Sequence, residues 1–223
     1  MIGFEIHPRQ RCVDRAAVEK FRGLPVANVS DVMSRMYAGG AALRPMHDGT
    51  ALAGAALTVR CRPGDNLLVH KALDMAVPGD VIVVDAGGDL TNAIIGEIMV
   101  SYAQTRGVAG IVIHGAIRDV GTISRGSFPV YACGVTHRGP YKDGPGEINV
   151  PVSLGGMVVE PGDLILGDED GLLCVPFHQV DEVHQAASEK HATEEKMLAD
   201  IAAGKLDTRW IDARLKSLGC RGV

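Results

Sequence analysis

The stretch PGDVIVVDAGGDLTNAIIGEIMVSYAQTRGVAGIVIHGAIRD, residues 78–119, decides the fold. It opens on a turn, Pro78-Gly79-Asp80, and enters Val81-Ile82-Val83-Val84. A continuous β-branched run of this length marks a strand buried on both faces. Asp85 to Asp89 reads as a loop. A helix is predicted from Thr91 or Gly96 through Arg106, and Gly107 stops it. A second apolar run, 110–114, reads as the next strand. Strand, loop, helix and strand in this order form the crossover that joins two parallel strands.

Working outward, residues 14–22 and 27–37 read as two short helices broken by Gly23-Leu24-Pro25. Asn28 or Ser30 is the expected cap of the second, and Gly39-Gly40 its end. Strands are expected at 50–61, 130–132, 150–153 and 157–159, and a helix at 66–76. A short helix near 120–125 follows Asp119, and 134–146 is a Gly- and Pro-rich loop. Leu164 to Leu166 and Leu172 to Val175 should pair across Gly167-Asp168-Glu169-Asp170-Gly171. A long polar helix runs from about 178 to 204. The first half alternates strand and helix and the second is mostly strand, so 1–223 reads as one layered α/β domain with a mixed central sheet. Gly87-Gly88 is not GxGxxG, so no dinucleotide motif is present.

The 223 residues are 46% hydrophobic and 22% charged, a globular rather than a disordered balance. Aromatics are only 4%, so Val, Ile, Leu, Ala and Met must build the core. A formal charge of −5 carries no basic footprint and argues against nucleic acid as a partner. Five dispersed cysteines without CxxC fit reduced thiols and a cytoplasmic setting. No run approaches the roughly 18 apolar residues of a membrane span, and the N-terminus has no signal-peptide pattern.

Chemistry is expected where neighbouring parallel strands end, because the loops there converge on helix N-termini. The loop after 81–84 leads to Gly96-Glu97-Ile98-Met99, and the strand at 110–114 leads to Arg118-Asp119. Free amides of a helical turn at 96–99 can hold a carboxylate or phosphate. Arg118 offers a planar fork for a carboxylate. Asp119 offers a hard oxygen for Mg²⁺, and Glu97 a second acid. Taken alone, the Arg-Asp pair reads equally as a surface ion pair, Gly96 as a packing glycine and Glu97 as a solvated helix residue.

The spacing of Glu97, twenty residues and Arg118-Asp119 resembles the acid-x20-Arg-Asp signature of the class II pyruvate aldolases of the RraA-like family. LPVANVSDVM (24–33), GEIMVSYAQTRGVAGIVIHGAIRD (96–119) and EINVPVSLGGMVVEPGDLILGDEDGLLCVP (147–176) extend the resemblance in the same order. The resemblance implies an α/β/β/α arrangement whose C-terminal helix reaches a neighbouring subunit, in a homotrimer or a hexamer of paired trimers. It implies a metal-dependent carbon–carbon lyase that releases pyruvate from a small 2-oxo acid. The reactions would be 4-hydroxy-4-methyl-2-oxoglutarate-type aldol cleavage, oxaloacetate decarboxylation, or both. Carried over by position, Gly96, Glu97, Ile98, Met99 and Arg118 bind substrate, and Arg118, Asp119 and Glu97 are catalytic. Asp119 binds Mg²⁺ or Mn²⁺ directly, while Glu97 and the neighbouring subunit's Glu194, with Glu195 as the rival position, act through water.

Glu97 stands where the signature often has Asp, and His114 where many relatives have an acid or amide. His114 reads either as a hydrogen-bonded strand-end residue or as a proton relay. Asp168 to Gly171 reads as an acidic hairpin turn. His191 and Glu194 share a helix face. His137, Arg138 and Lys142 read as a mobile surface loop or as contacts to the distal end of a substrate. Some relatives are described as inhibitors of ribonuclease E, so a non-catalytic trimeric regulator is the alternative reading. No glycine-rich loop suits S-adenosylmethionine.

Overall fold

The computed structural model describes residues 2–223. In chain order its first elements are β1 (Phe4–Ile6), α1 (Arg15–Lys20), α2 (Val26–Val32), β2 (Arg44–Pro45), β3 (Leu52–Cys61) and α3 (Leu67–Met75). The crossover region holds β4 (Asp80–Asp85), β5 (Ala93–Ile95), α4 (Glu97–Thr105), β6 (Gly110–Ile117), α5 (Val120–Ile123) and β7 (Val130–Val135). Then follow β8 (Gly146–Ile148), β9 (Val152–Leu154), β10 (Met157–Val159), β11 (Leu164–Gly167), β12 (Leu172–Val175), α6 (Val180–Ala202) and α7 (Arg209–Ser217).

One mixed sheet organises the chain, in the order β1-β8-β3-β4-β6-β7-β2. Its centre, β3-β4-β6-β7, is parallel. Antiparallel β11 lies against the start of β3 and carries β12 on its other edge. The alternation of side chains along a strand divides β4 and β6 between two cores. Ile82, Val84, Ile111 and Ile113 face a cluster closed by α3, α4 and α5. Val81, Val83 and Val112 face a second cluster closed by β9, β10, β11 and β12. A third cluster joins α1, α2 and α6 to the outer side of β11 and β12. The layers are therefore α/β/β/α, and the continuous β-branched runs exist because both strand faces are buried.

Several local expectations are corrected. The second helix stops at Val32 rather than at 37, because Ser34 and Arg35 turn left-handed, with φ of 56° and 62°. Neither Asn28 nor Ser30 caps it. Its N-cap is Pro25, and the side chain of Asp168 accepts the Val26 N–H at 2.9 Å. The crossover helix begins at Gly96 rather than Thr91, since Ala93–Ile95 forms a strand on the far end of β6. β6 itself runs past His114 to Ile117, with a register shift between Ile113 and Ala116. Strand β7 extends to Val135, into the expected loop. Strand 150–153 is displaced to Val152–Leu154, and α7 was not anticipated. The Asp168–Gly171 segment is a hairpin turn, as expected. No described helix is long and apolar enough to cross a membrane.

Candidate active site

The extra length of β6 builds the site. Ala93 and Ile95 of β5 pair with Ala116 and Ile117, and the Arg118 N–H donates to the Ile95 carbonyl at 3.0 Å. Gly96 and Arg118-Asp119 are thereby held side by side. Asp119 is left-handed, φ 57°, a conformation short polar side chains tolerate better than others. The turn swings its carboxylate onto the start of α4, where Oδ2 accepts the Glu97 N–H at 2.9 Å. Gly96, the N-cap, has no capping side chain, so Asp119 caps α4 from another element. A Cβ at Gly96 would run into Asp119 Oδ2 and sit 2.9 Å from Arg118 Cγ. The close approach therefore needs glycine.

The remaining groups on this face are open. Met99 and Val100 N–H close back on the Gly96 carbonyl, and no acceptor among the described residues takes the Ile98 N–H. Arg118 Nε lies 3.7 Å from Asp119 Oδ2, with the two side chains 42% and 40% exposed. So loose and wet a pair contributes little to stability. The terminal guanidinium nitrogens have no protein acceptor among the described residues. Glu97 is exposed on the first turn of α4.

Beside Arg118 a cleft of about 220 Å³ is walled by Gly96, Ile98, Met99, Asn66, His70 and Lys142. Of three larger clefts, one of about 290 Å³ lies between the end of α2 and the start of α6, and two, about 370 and 590 Å³, open where β4, β6 and β7 begin, among Gly79, Ala109 and Pro129. Those are the amino ends of the parallel strands, whereas ligands of such sheets sit beyond the carboxyl ends. In the cleft beside Arg118, burial lowers the pKa of His70, with Lys142 pushing the same way.

Among the described residues no three His, Cys, Asp or Glu side chains converge as a metal cage. Asp119 nonetheless fits a hard divalent ion. Its Oδ2 is engaged by the Glu97 N–H, while Oδ1 has no donor among the described residues, on a side chain that is 40% exposed. One open carboxylate oxygen with room for waters suits Mg²⁺ or Mn²⁺, and lacks the nitrogen or sulfur set that zinc takes.

Of the residues singled out from sequence, Arg118 and Asp119 lie against Gly96 and the Glu97 N–H, Gly96, Ile98, Met99 and Arg118 line the adjoining cleft, and the Glu97 side chain is exposed. Glu194 does not join them within the chain. It accepts from Asn28 Nδ2 at 2.6 Å and Lys190 Nζ at 2.7 Å, tying α6 to α2 in the outer helical layer. Those two donors lower its pKa, Lys190 the more. Glu195 instead faces His191 at 3.7 Å. His114 lies within β6 rather than at its end; its Nδ1 lies 3.4 Å from Asp85 Oδ1, which also accepts the Gly87 N–H. Asn66 and His70 were missed as cleft residues. Their only sequence signal was an Asn placed to cap α3.

The model of the RraA-like family, described as Aldolase/RraA, matches residues 26–174. A Halalkalibacterium halodurans protein provisionally named 4-hydroxy-4-methyl-2-oxoglutarate aldolase is 42% identical over 178 residues, covering 80% of this chain and 85% of that one. Streptomyces coelicolor RraAS2, described as an unusual member of the RNase ES inhibitor RraA family, superimposes with a TM-score of 0.75 at 28% identity. That match covers 84% of this chain and 98% of that one. The RNA-processing inhibitor RraA of Thermus thermophilus gives 0.63 at 34% identity, over 68% and 92%. With two thirds of its length inside the family model and a relative 42% identical over 80% of the chain, the chain belongs to the RraA-like family.

Proposed function

We propose that this protein is a divalent-metal-dependent carbon–carbon lyase that releases pyruvate from a small 2-oxo acid. The substrate would be a 4-hydroxy-4-methyl-2-oxoglutarate-type aldol, oxaloacetate, or both. The carrying observation is the Asp119 cap on α4. It leaves the Arg118 fork, the Ile98 N–H and one Asp119 oxygen without a partner among the described residues, beside the start of α4.

Arg118 and the amide end of α4 hold the oxygens of the 2-oxo acid. An ion at Asp119 would polarise the keto group as a Lewis acid. Glu97, exposed on the first turn of α4, takes the 4-hydroxyl proton through a water. The C3–C4 electron pair then moves to C3–C2 and on to the keto oxygen, and the C4 fragment leaves as a carbonyl compound. Arg118 stabilises the resulting enolate as a fixed charge, and C3 takes a proton to give pyruvate. With oxaloacetate the same electron flow releases CO₂, and no hydroxyl proton need be removed. Glu194 is the candidate acid from a neighbouring subunit of a trimer or hexamer, since within one chain it lies in the opposite outer layer.

The descriptions of one structural relative as an RNA-processing inhibitor and of another as a member of an RNase ES inhibitor family favour a second reading, a regulator that binds through its surface. Pyruvate release from both substrates, with Mg²⁺ and with EDTA, separates the two. Metal-dependent release that Asp119→Ala lowers by about three orders of magnitude supports the lyase. Release no faster than metal alone sinks it and leaves the regulator.

A further inference from the structure

The backbone of Arg118 is fixed, but its guanidinium is not tied by hydrogen bonds. The Arg118 N–H donates to the Ile95 carbonyl at 3.0 Å, while Nε is only loosely paired with Asp119 at 3.7 Å. What borders the side chain is largely backbone. Gly96 stands at its base, where a Cβ would lie 2.9 Å from Arg118 Cγ. Gly139 stands at its tip, where a Cβ would lie 3.4 Å from Arg118 Nη1, in van der Waals contact.

The segment that carries Gly139, residues 136–144, is held at both ends. At one end the Thr136 N–H donates to the Ile117 carbonyl at 3.0 Å. At the other, Asp65 Oδ2 accepts the N–H groups of Asp143 and Gly144 at 2.7 and 2.9 Å. Between them two bonds clip the segment to the residues that enter β5. The Ala93 N–H donates to the Arg138 carbonyl at 2.8 Å, and Asn92 Nδ2 donates to the Gly139 carbonyl at 2.6 Å. Asn92 is only 7% exposed and does not line the cleft beside Arg118. Its Oδ1 lies against Gly64, where a Cβ would come within 3.2 Å. A buried amide thus directs its donor to one carbonyl 47 residues away, at the point where the chain touches the Arg118 tip.

We propose that Asn92 is a positioning residue for the lyase reaction: by holding Gly139 at the guanidinium, it sets the direction in which Arg118 presents its fork. The assignment rests on the lyase reading and deepens it. Asn92 touches neither substrate nor ion and acts through the backbone of Gly139. A planar fork meets a carboxylate or enolate with two parallel bonds only when it is correctly oriented. Misplacing such a group by an ångström costs about 100-fold in rate. The Ala93–Arg138 clip survives loss of the Asn92 side chain, so a smaller effect is expected.

The test is a double-mutant cycle on kcat/KM, using whichever of the two proposed substrates wild type turns over faster, above the metal-only background. Asn92→Ala should lower kcat/KM about tenfold in the wild-type background. In Arg118→Lys it should lower it by less than about twofold, because an ammonium is a point charge with no plane to aim. Asn92→Ser leaves a smaller cavity and gives the same cycle if Asn92→Ala fails to fold. Equal losses in both Arg118 backgrounds overturn the proposal, because Asn92 would then serve only the fold. Unchanged turnover on loss of the Asn92 amide also overturns it and leaves the lyase intact. A wild type that releases pyruvate from neither substrate overturns the lyase reading, and the positioning role falls with it.

Discussion

Asp65 and Asp119 do the same local job with opposite surroundings. Each accepts the first N–H of a nine-residue helix at 2.9 Å, Asp65 at α3 and Asp119 at α4. Asp65 has a fully buried side chain and fills its remaining lone pairs with Asp143, Gly144 and Arg62. Asp119 is 40% exposed, and the Glu97 N–H is its one close donor. A saturated carboxylate holds the chain together, whereas an unsaturated one remains able to bind something from outside. The contrast separates scaffold from chemistry within a single motif, a carboxylate on a helix N-terminus.

The sharpest way to break that contrast is to delete both groups. Asp65→Ala strands several buried donors and should cost about 3–5 kcal/mol, read as a lowered midpoint in urea. Asp119→Ala, already expected to abolish most turnover, removes one exposed cap and should cost only about 1 kcal/mol in the same titration. Comparable stability losses in the two variants would erase the distinction. A smaller effect should follow Gly96→Ala. The backbone there, φ −150°, suits any residue, but the added methyl displaces the Asp119 carboxylate and Arg118. Turnover should fall about 100-fold with about 1–2 kcal/mol of destabilisation. Activity near wild type would show that the tight approach is dispensable.

The smallest effect is in thiol chemistry, and it probes the scaffold side alone. Burial first, then Asp65 and Asp85, push Cys61 up to about 12, and Cys174 is raised by burial beside Asp163. Thiolate, not thiol, is the reactive form. At pH 8 a disulfide reagent should label exposed Cys220 first and Cys12 more slowly, because burial raises the Cys12 thiol too. Cys61 and Cys174 should react only on unfolding. Early labelling of Cys61 would show that the layer around Asp65 opens readily.

Legibility in the sequence followed the range of the interactions. The runs of β4 and β6 were readable because burial on both faces leaves a local mark, an unbroken β-branched stretch. Glu97, Arg118 and Asp119 were readable as a spacing and as a resemblance. The three residues of β5 were not, since their pairing depends on how far β6 extends beyond His114. Asn28 looked like a cap, but the group that engages the start of α2 is Asp168, 142 residues away. Asp65 carries no local mark of its role, because its partners Asp143 and Gly144 lie 78 and 79 residues away. Functional polar residues fixed by distant partners leave no periodicity to read.

The left-handed backbone at Asp119 restricts what can replace it. Asp, Asn and Gly accept that conformation readily, and Asn would keep an oxygen for the Glu97 N–H while losing the charge. A single Asp119→Asn exchange would therefore silence the site and leave the α4 cap, the strand ends and the outer surface in place. On the lyase reading, catalysis is then detachable in a lineage: a descendant could lose its reaction in one step and still present an intact body to other molecules. The same backbone turn that aims the carboxylate also lets a silent copy persist, free to be selected for its surface instead.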